Sequence, residues 1–118
     1  MTLLGWFIVA HGWGDYCFQT EFEGTQKMRG RFLNKALLAH CVKYTLCFVP
    51  VFLFFSVNLW WLLFIFGSHM YFDRRWPIVW WRRYITRNSE ESIATSLWLT
   101  VMIDQIFHIT VLAIVASL

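Results

Sequence analysis

Charge is scarce in this chain. Ten Lys and Arg and seven Asp and Glu are spread over 118 residues, of which 58% are hydrophobic, eight are Trp and twelve are Phe. That balance is too apolar for a water-soluble domain of this length. Proline is nearly missing, with two residues, and Pro50 lies inside an apolar run, where the lost backbone donor should kink a helix. The three cysteines, Cys17, Cys41 and Cys47, form no CxxC pair, which excludes a disulfide frame and points to small buried apolar side chains. Residues 1–20 lack a basic leading segment, and His11 and Asp15 interrupt their apolar run, so they do not read as a signal peptide. No internal repeat or low-complexity segment is present, and no Ser-His-Asp arrangement is evident for a serine nucleophile.

What remains is a set of long apolar segments, each near the roughly 20 residues a transmembrane helix requires. They cover about 2–20, 35–57, 58–76 and 92–117, so the expected fold is all-α. The whole chain, 1–118, is expected to form one integral membrane four-helix bundle with short loops. The basic residues are asymmetric. Lys27, Arg29, Arg31 and Lys35 lie in or beside the first loop, and Arg74, Arg75, Arg82, Arg83 and Arg87 lie in the third. The positive-inside rule then puts both loops in the cytoplasm and both termini outside, in a multi-pass bacterial inner-membrane protein. Asn34 is the expected cap of the second helix, and "NSEE" at 88–91 reads as a capping box with Asn88 as cap and Glu91 reaching back. "SVN" at 56–58 reads as a tight turn. The Trp and Arg alternation of "RRWPIVWWRRYITR" fits anchoring at the headgroup level, and nucleic acid is not an expected partner.

Against this background the polar residues within the apolar segments stand out. Each of the three Asp lies four residues from a His: His11–Asp15, His69–Asp73 and Asp104–His108. Four residues apart on a helix is the same face, one turn away. The order reverses where the helix direction reverses, so like residues fall at like depth. At 1.5 Å rise per residue, His11, His69 and His108 lie roughly 13–16 Å from the outer end of their helices, and the three Asp roughly 20–22 Å. On the second helix Tyr44 falls near the Asp level and His40 one turn below it. Cys47 falls near the His level on the same face, where packing is the expected role. One Asp at mid-membrane costs about 2.5–3.5 kcal/mol on insertion scales, so these groups are expected to face the bundle interior with partners. Two readings satisfy them. Facing His and Asp on bundle helices can hold a metal; alternatively they form a hydrogen-bonded network or proton relay. Gly5, Gly12 and Gly14 fit close helix approach beside the site, or simply a weaker helix. Lys43, within the second helix, is expected either to snorkel to the interface or to hold an anionic substrate.

"HGWGDYCFQT", "KALLAHCVKY", "SHMYFD" and "DQIFH" match, in order, H-x-x-G-D-x-x-x-Q, K-x-x-L-L-x-H-x-x-x-Y, H-x-x-x-D and D-Q-x-x-H. Together they resemble the small bacterial and phage membrane family called domain of unknown function 3307, over roughly residues 3–110. The resemblance carries over His11, Asp15, Gln19, His40, Tyr44, His69, Asp73, Asp104, Gln105 and His108; the segment 74–87 is not part of the pattern. The family is similar to the predicted membrane-bound metal-dependent hydrolases, an analogy of fold.

The expected function is therefore an integral membrane protein with an intramembrane metal site formed by His11, Asp15, His40, His69, Asp73, Asp104 and His108. The expected ion is divalent, with zinc foremost and manganese or iron as alternatives. Seven groups exceed the four that one zinc needs, leaving either two metals with a bridging Asp or one metal with the other groups ordered around it. A metal-activated hydroxide would attack a lipid ester or phosphoester entering from the bilayer. Lys43 and Tyr44 would assist at the site, and Gln19 and Gln105 would orient ligands or water. The alternatives are a proton or metal-ion transporter or channel, with a homo-oligomer forming the pore, and a phage-encoded membrane interaction protein that uses the cluster as a staple.

Overall fold

The computed structural model describes residues 2–20 and 35–118. The expected cap Asn34 and the basic residues Lys27, Arg29 and Arg31 lie outside the described residues. Among the described residues the structure is all-helical. Helix α1 spans Leu3–Gly12 and runs on into a wide π-helical turn, Trp13–Cys17. Thr2 caps it, its Oγ1 accepting the Gly5 amide at 3.1 Å. The second apolar segment divides into α2, Lys35–Leu46, and α3, Val49–Phe54. Pro50 occupies the first turn of α3, so the break falls just before it, where its missing N–H leaves no bond to lose. The turn expected at 56–58 is present as a bend through Ser56, which adopts φ 56°.

Helix α4 spans Trp60–Phe72. The next segment departs from expectation. Residues 74–87 are not an extended loop: Arg75 turns the chain at φ 69°, and α5 follows over Trp76–Trp80, continuing as a π-helical turn over Trp81–Ile85. The last apolar segment is α6, Glu90–Thr95, and α7, Leu97–Ser117, separated at Ser96. Its cap is Ser89, whose Oγ accepts the Ser92 amide at 3.1 Å. Asn88 is drawn elsewhere, since its Oδ1 accepts from Arg82 Nε at 2.9 Å.

Two segments, Lys35–Phe54 and Leu97–Ser117, are long and apolar enough to cross a membrane. The helical parts of the other two expected spans are shorter: α1 with its π turn, and the 13-residue α4, which at 1.5 Å per residue is about 20 Å long. The packing closes a ring: α1 on α7, α7 on α4, α4 on α2, and α2 on the π turn that ends α1.

Each helix contributes one inward stripe at a spacing of four: Phe7, His11 and Asp15; His40, Tyr44, Phe48 and Phe52; Ile65, His69 and Asp73; Asp104, His108 and Leu112. All are buried. The stripes stack in register. At one end Phe7 packs edge-on against Phe48 and stacks on Phe52, with ring centroids 5.6 and 5.5 Å apart, and Ile65, Leu112 and Val115 complete this plug. Below it lies the His and Asp cluster. The outward faces carry large apolar side chains such as Trp6, Leu53, Phe54, Trp60, Leu63, Trp98 and Ile106. The bundle is thus polar at its centre and apolar on its surface.

Candidate metal centre

Asp15 sits in the π-helical turn, where the chain makes one residue more per turn than an α-helix. Asp15 stands 3.9 Å from His11, close to the 3.7 Å between His69 and Asp73. The Asp15 carboxylate also faces α2, with Oδ1 3.1 Å from His40 Nε2. Gly14, beside it, lets α2 come close: a Cβ there would lie 2.9 Å from Tyr44 Cδ2 and 3.0 Å from its Cα. Gly12 meets nothing within 4 Å, so the close approach expected of the glycines is confined, of these two, to Gly14.

His40 occupies the middle. Its Nε2 is 3.1 Å from Asp15 Oδ1, 3.2 Å from Asp73 Oδ2 and 2.9 Å from His69 Nε2. His69 Nε2 is in turn 3.7 Å from Asp15 Oδ1 and 3.7 Å from Asp73 Oδ2. Two imidazole nitrogens and two carboxylate oxygens converge here. A tetrahedral zinc with bonds of about 2.0–2.2 Å has ligand atoms about 3.3–3.6 Å apart. The five separations bracket that value. Asp15, His40, His69 and Asp73, all buried, could therefore hold a metal ion.

A second group adjoins the first. His108 Nε2 lies 3.2 Å from Asp104 Oδ1 and 3.9 Å from Asp73 Oδ1, and Asp73, Asp104 and His108 could also hold an ion. His108 Nε2 and Asp104 Oδ1 are buried and near each other, yet neither meets the geometry of a hydrogen bond. Buried polar atoms are nearly always satisfied, so such a pair aimed at common space fits an ion between them. Asp73 belongs to both groups, one oxygen in each.

The depth ordering survives in altered form. His11, His69 and His108 do cluster, with ring centroids 5.7 Å apart for His11–His108 and 4.5 Å for His69–His108. The groups that could hold an ion cut across the levels, because His40 reaches to Asp15 and Asp73 instead of lying apart from them. His11 belongs to neither group. It links Tyr44 and Gln105, with Nδ1 2.7 Å from the Tyr44 hydroxyl and Nε2 2.6 Å from Gln105 Oε1. The Gln105 amide donates from Nε2 to Asp15 Oδ2 at 3.0 Å, which leaves its Oε1 to accept. His11 must then donate from Nε2 and accept the Tyr44 proton at Nδ1. This directional chain fixes Asp15 through Oδ2 and leaves Oδ1 for the cluster, the way partners behind a ligand set its orientation. Tyr44 also stacks on His69 with centroids 3.6 Å apart and planes 6° from parallel. Lys43 lies outside this constellation and donates from Nζ to the Phe18 carbonyl at 3.0 Å. Gln19 is half-buried just past the π turn, and Cys47 packs against the Phe7 plug.

One buried polar residue escaped the sequence reading. Arg82, placed there in a surface loop, is 0% exposed. Its guanidinium donates to Asn88 Oδ1, the Ser96 carbonyl, Thr100 Oγ1 and Ser96 Oγ, at 2.9–3.1 Å. Thr100 continues the spacing of four through Asp104 and His108, and that was the available signal.

Residues 3–118 match the family described as "Protein of unknown function (DUF3307)". The chain belongs to the DUF3307 family. The match runs past residue 110, where the sequence motifs stop, and takes in the whole of α7. No curated protein and no solved structure matches this DUF3307 chain.

Proposed function

We propose that the protein is a membrane-embedded, metal-dependent hydrolase acting on a lipid ester or phosphoester. The observation that carries this reading is the position of Asp73 between two groups of converging ligand atoms. Four protein ligands complete a tetrahedron in the first group. Three in the second leave a position open, as in catalytic rather than structural zinc sites. A metal held there by Asp73, Asp104 and His108 would supply an activated water and would polarise an ester or phosphoryl oxygen. Three clustered carboxylates also bring negative charge that divalent cations would offset. The polar centre and apolar surface support a bilayer as the solvent, since lipid requires polar groups to be satisfied within the bundle. In purified protein, elemental analysis should find one or two divalent ions per chain, zinc foremost, and chelation should abolish lipid turnover. A well-folded, metal-free protein would overturn the reading.

The second reading would then hold. Tyr44, His11, Gln105, Asp15 and His40 form a continuous hydrogen-bonded chain, the hardware of a proton relay. Proton flux in liposomes without metal would support it.

For orientation, the distribution of Lys and Arg favours termini outside the cytoplasmic membrane, with the Asp end of the cluster and α5 toward the cytoplasm. Cys17 is exposed at that end. A membrane-impermeant maleimide should label it, in a Cys47→Ser background, in inverted vesicles and not in right-side-out ones. Labelling from the outside would reverse the assignment.

A further inference from the structure

The two ion positions share more than Asp73. Between them His69 Nδ1 and His108 Nδ1 meet in a hydrogen bond of 3.4 Å, and both rings are buried. A contact between two ring nitrogens holds one proton, which one ring donates and the other accepts. On the far side of each ring, Nε2 faces a different group. His69 Nε2 faces the first, 3.7 Å from Asp15 Oδ1, 3.7 Å from Asp73 Oδ2 and 2.9 Å from His40 Nε2. His108 Nε2 faces the second, 3.2 Å from Asp104 Oδ1 and 3.9 Å from Asp73 Oδ1.

A neutral imidazole carries one ring proton, so the nitrogen that donates and the nitrogen that binds a metal are opposite ones. The ring that donates at Nδ1 keeps a lone pair at Nε2 and can be a ligand. The ring that accepts at Nδ1 carries its proton at Nε2 and cannot. An ion in the first group uses the Nε2 lone pair of His69, which puts the shared proton on His69 Nδ1. His108 must then accept, and its Nε2 carries a proton on the side where the second ion needs a lone pair. An ion in the second group imposes the mirror arrangement, with the proton on His69 Nε2. Filling both positions sets two N–H groups against each other, strips the shared proton or breaks the contact.

We infer that the single proton shared by His69 and His108 makes the two ion positions antagonistic, each occupied position turning the histidine of the other from a ligand into a donor. The inference rests on the metal-binding part of the proposed function and supplies a regulation of that site. The first group, with four ligands against three, fills first. The three-ligand position is then the exchangeable one, and its occupancy follows the free metal concentration.

The test uses the full chain in detergent, metal-free, with isotope-labelled histidine, titrated with zinc chloride alone. Ring-nitrogen NMR tells protonated, bare and metal-bound nitrogens apart, and single His→Gln variants assign the four rings. With one zinc bound, His69 should be protonated at Nδ1 and His108 at Nε2. The second zinc should bind at least about tenfold more weakly, the scale set by a buried donor left without an acceptor. Its arrival should remove the proton from His108 Nε2. His108→Glu supplies a carboxylate that accepts from His69 Nδ1, so the gap between the two affinities should narrow by about tenfold or more. A one-zinc state with His108 protonated at Nδ1 and bare at Nε2 would overturn the inference, since ion repulsion alone would then explain a weak second site. Two zinc ions bound with equal affinity, or an unchanged gap in a folded His108→Glu, would overturn it too. Antagonistic zinc binding without lipid turnover would leave the inference standing and remove the hydrolase. Turnover by a protein that binds two zinc ions equally would do the reverse, and a protein that binds no zinc would remove both.

Discussion

Asp73→Asn should empty both ion positions at once. Asp73 is the one residue shared by the two groups, with Oδ2 3.2 Å from His40 Nε2 and Oδ1 3.9 Å from His108 Nε2. An amide offers one neutral oxygen where the carboxylate offers two anionic ones, so neither group keeps its ligand count. Metal content should fall below one ion per chain, and any lipid turnover should drop by at least about a hundredfold, the upper end of losses seen on disturbing a metal's surroundings. Stability gives an independent readout. A ligand present at about 100 times its Kd stabilises the folded state by about 2.7 kcal/mol, and the variant should lose that increment. Its melting temperature should no longer respond to chelator. Without metal, the substitution also removes one of three crowded carboxylates, so the metal-free variant should be no less stable than metal-free wild type. Asp104→Asn should act on the second group alone and leave one ion in the first. Full metal content in Asp73→Asn would show that Asp73 does not bridge.

Arg82→Ala should produce the largest loss of stability away from the cluster, on the order of 3 kcal/mol. The guanidinium is buried and makes four hydrogen bonds, to Asn88, Thr100 and both the carbonyl and the hydroxyl of Ser96. Removing it strands those acceptors, each costing about 1–3 kcal/mol when left unsatisfied, though such costs do not add fully. It also leaves a void where the longest buried side chain packed. Arg82→Lys keeps the charge but not the fork, and should recover only part of the loss. Arg83→Ala is the control. Arg83 is half-exposed and stands 3.7 Å from an exposed Glu90, a pair worth about 0–1 kcal/mol. Denaturant unfolding in detergent compares the three. Arg82→Ala within 1 kcal/mol of wild type would contradict the buried-clamp account. Metal content should be unchanged, because Arg82 touches no member of either group.

Much of the cluster was legible because helices repeat. A His and an Asp four residues apart must share a face, and alternating helix direction brings like residues to like depth. The inward stripes of α1, α2, α4 and α7 follow from that rule. What spacing does not encode is which partner a side chain meets across helices. Asp15 and His40 come within 3.1 Å from different helices, and nothing in "WGDYC" announces the π turn that carries Asp15. His40 was read as lying one turn below the Asp level, because rise per residue measures backbone height and ignores side-chain reach. The burial of Arg82 was obscured by its neighbours. Within "WWRRYITR" it looks like one of several interface cations, and only its partners Asn88, Ser96 and Thr100, from six to eighteen residues further on, set it apart.

The contact between His11 and Gln105 spans 94 positions of chain. Helices α1 and α7 therefore meet only after the stretch between them has been made. At about 5–20 residues per second, α1 waits roughly 5–20 s for α7 to emerge. Asp15 finds His40 after 25 residues, much sooner, whereas the His11 nitrogen that will bond Gln105 must wait for α7. Until then the nascent three-quarter ring carries an open seam of imidazole and carboxylate. The order of synthesis makes closure by α7 the event that creates the complete cluster.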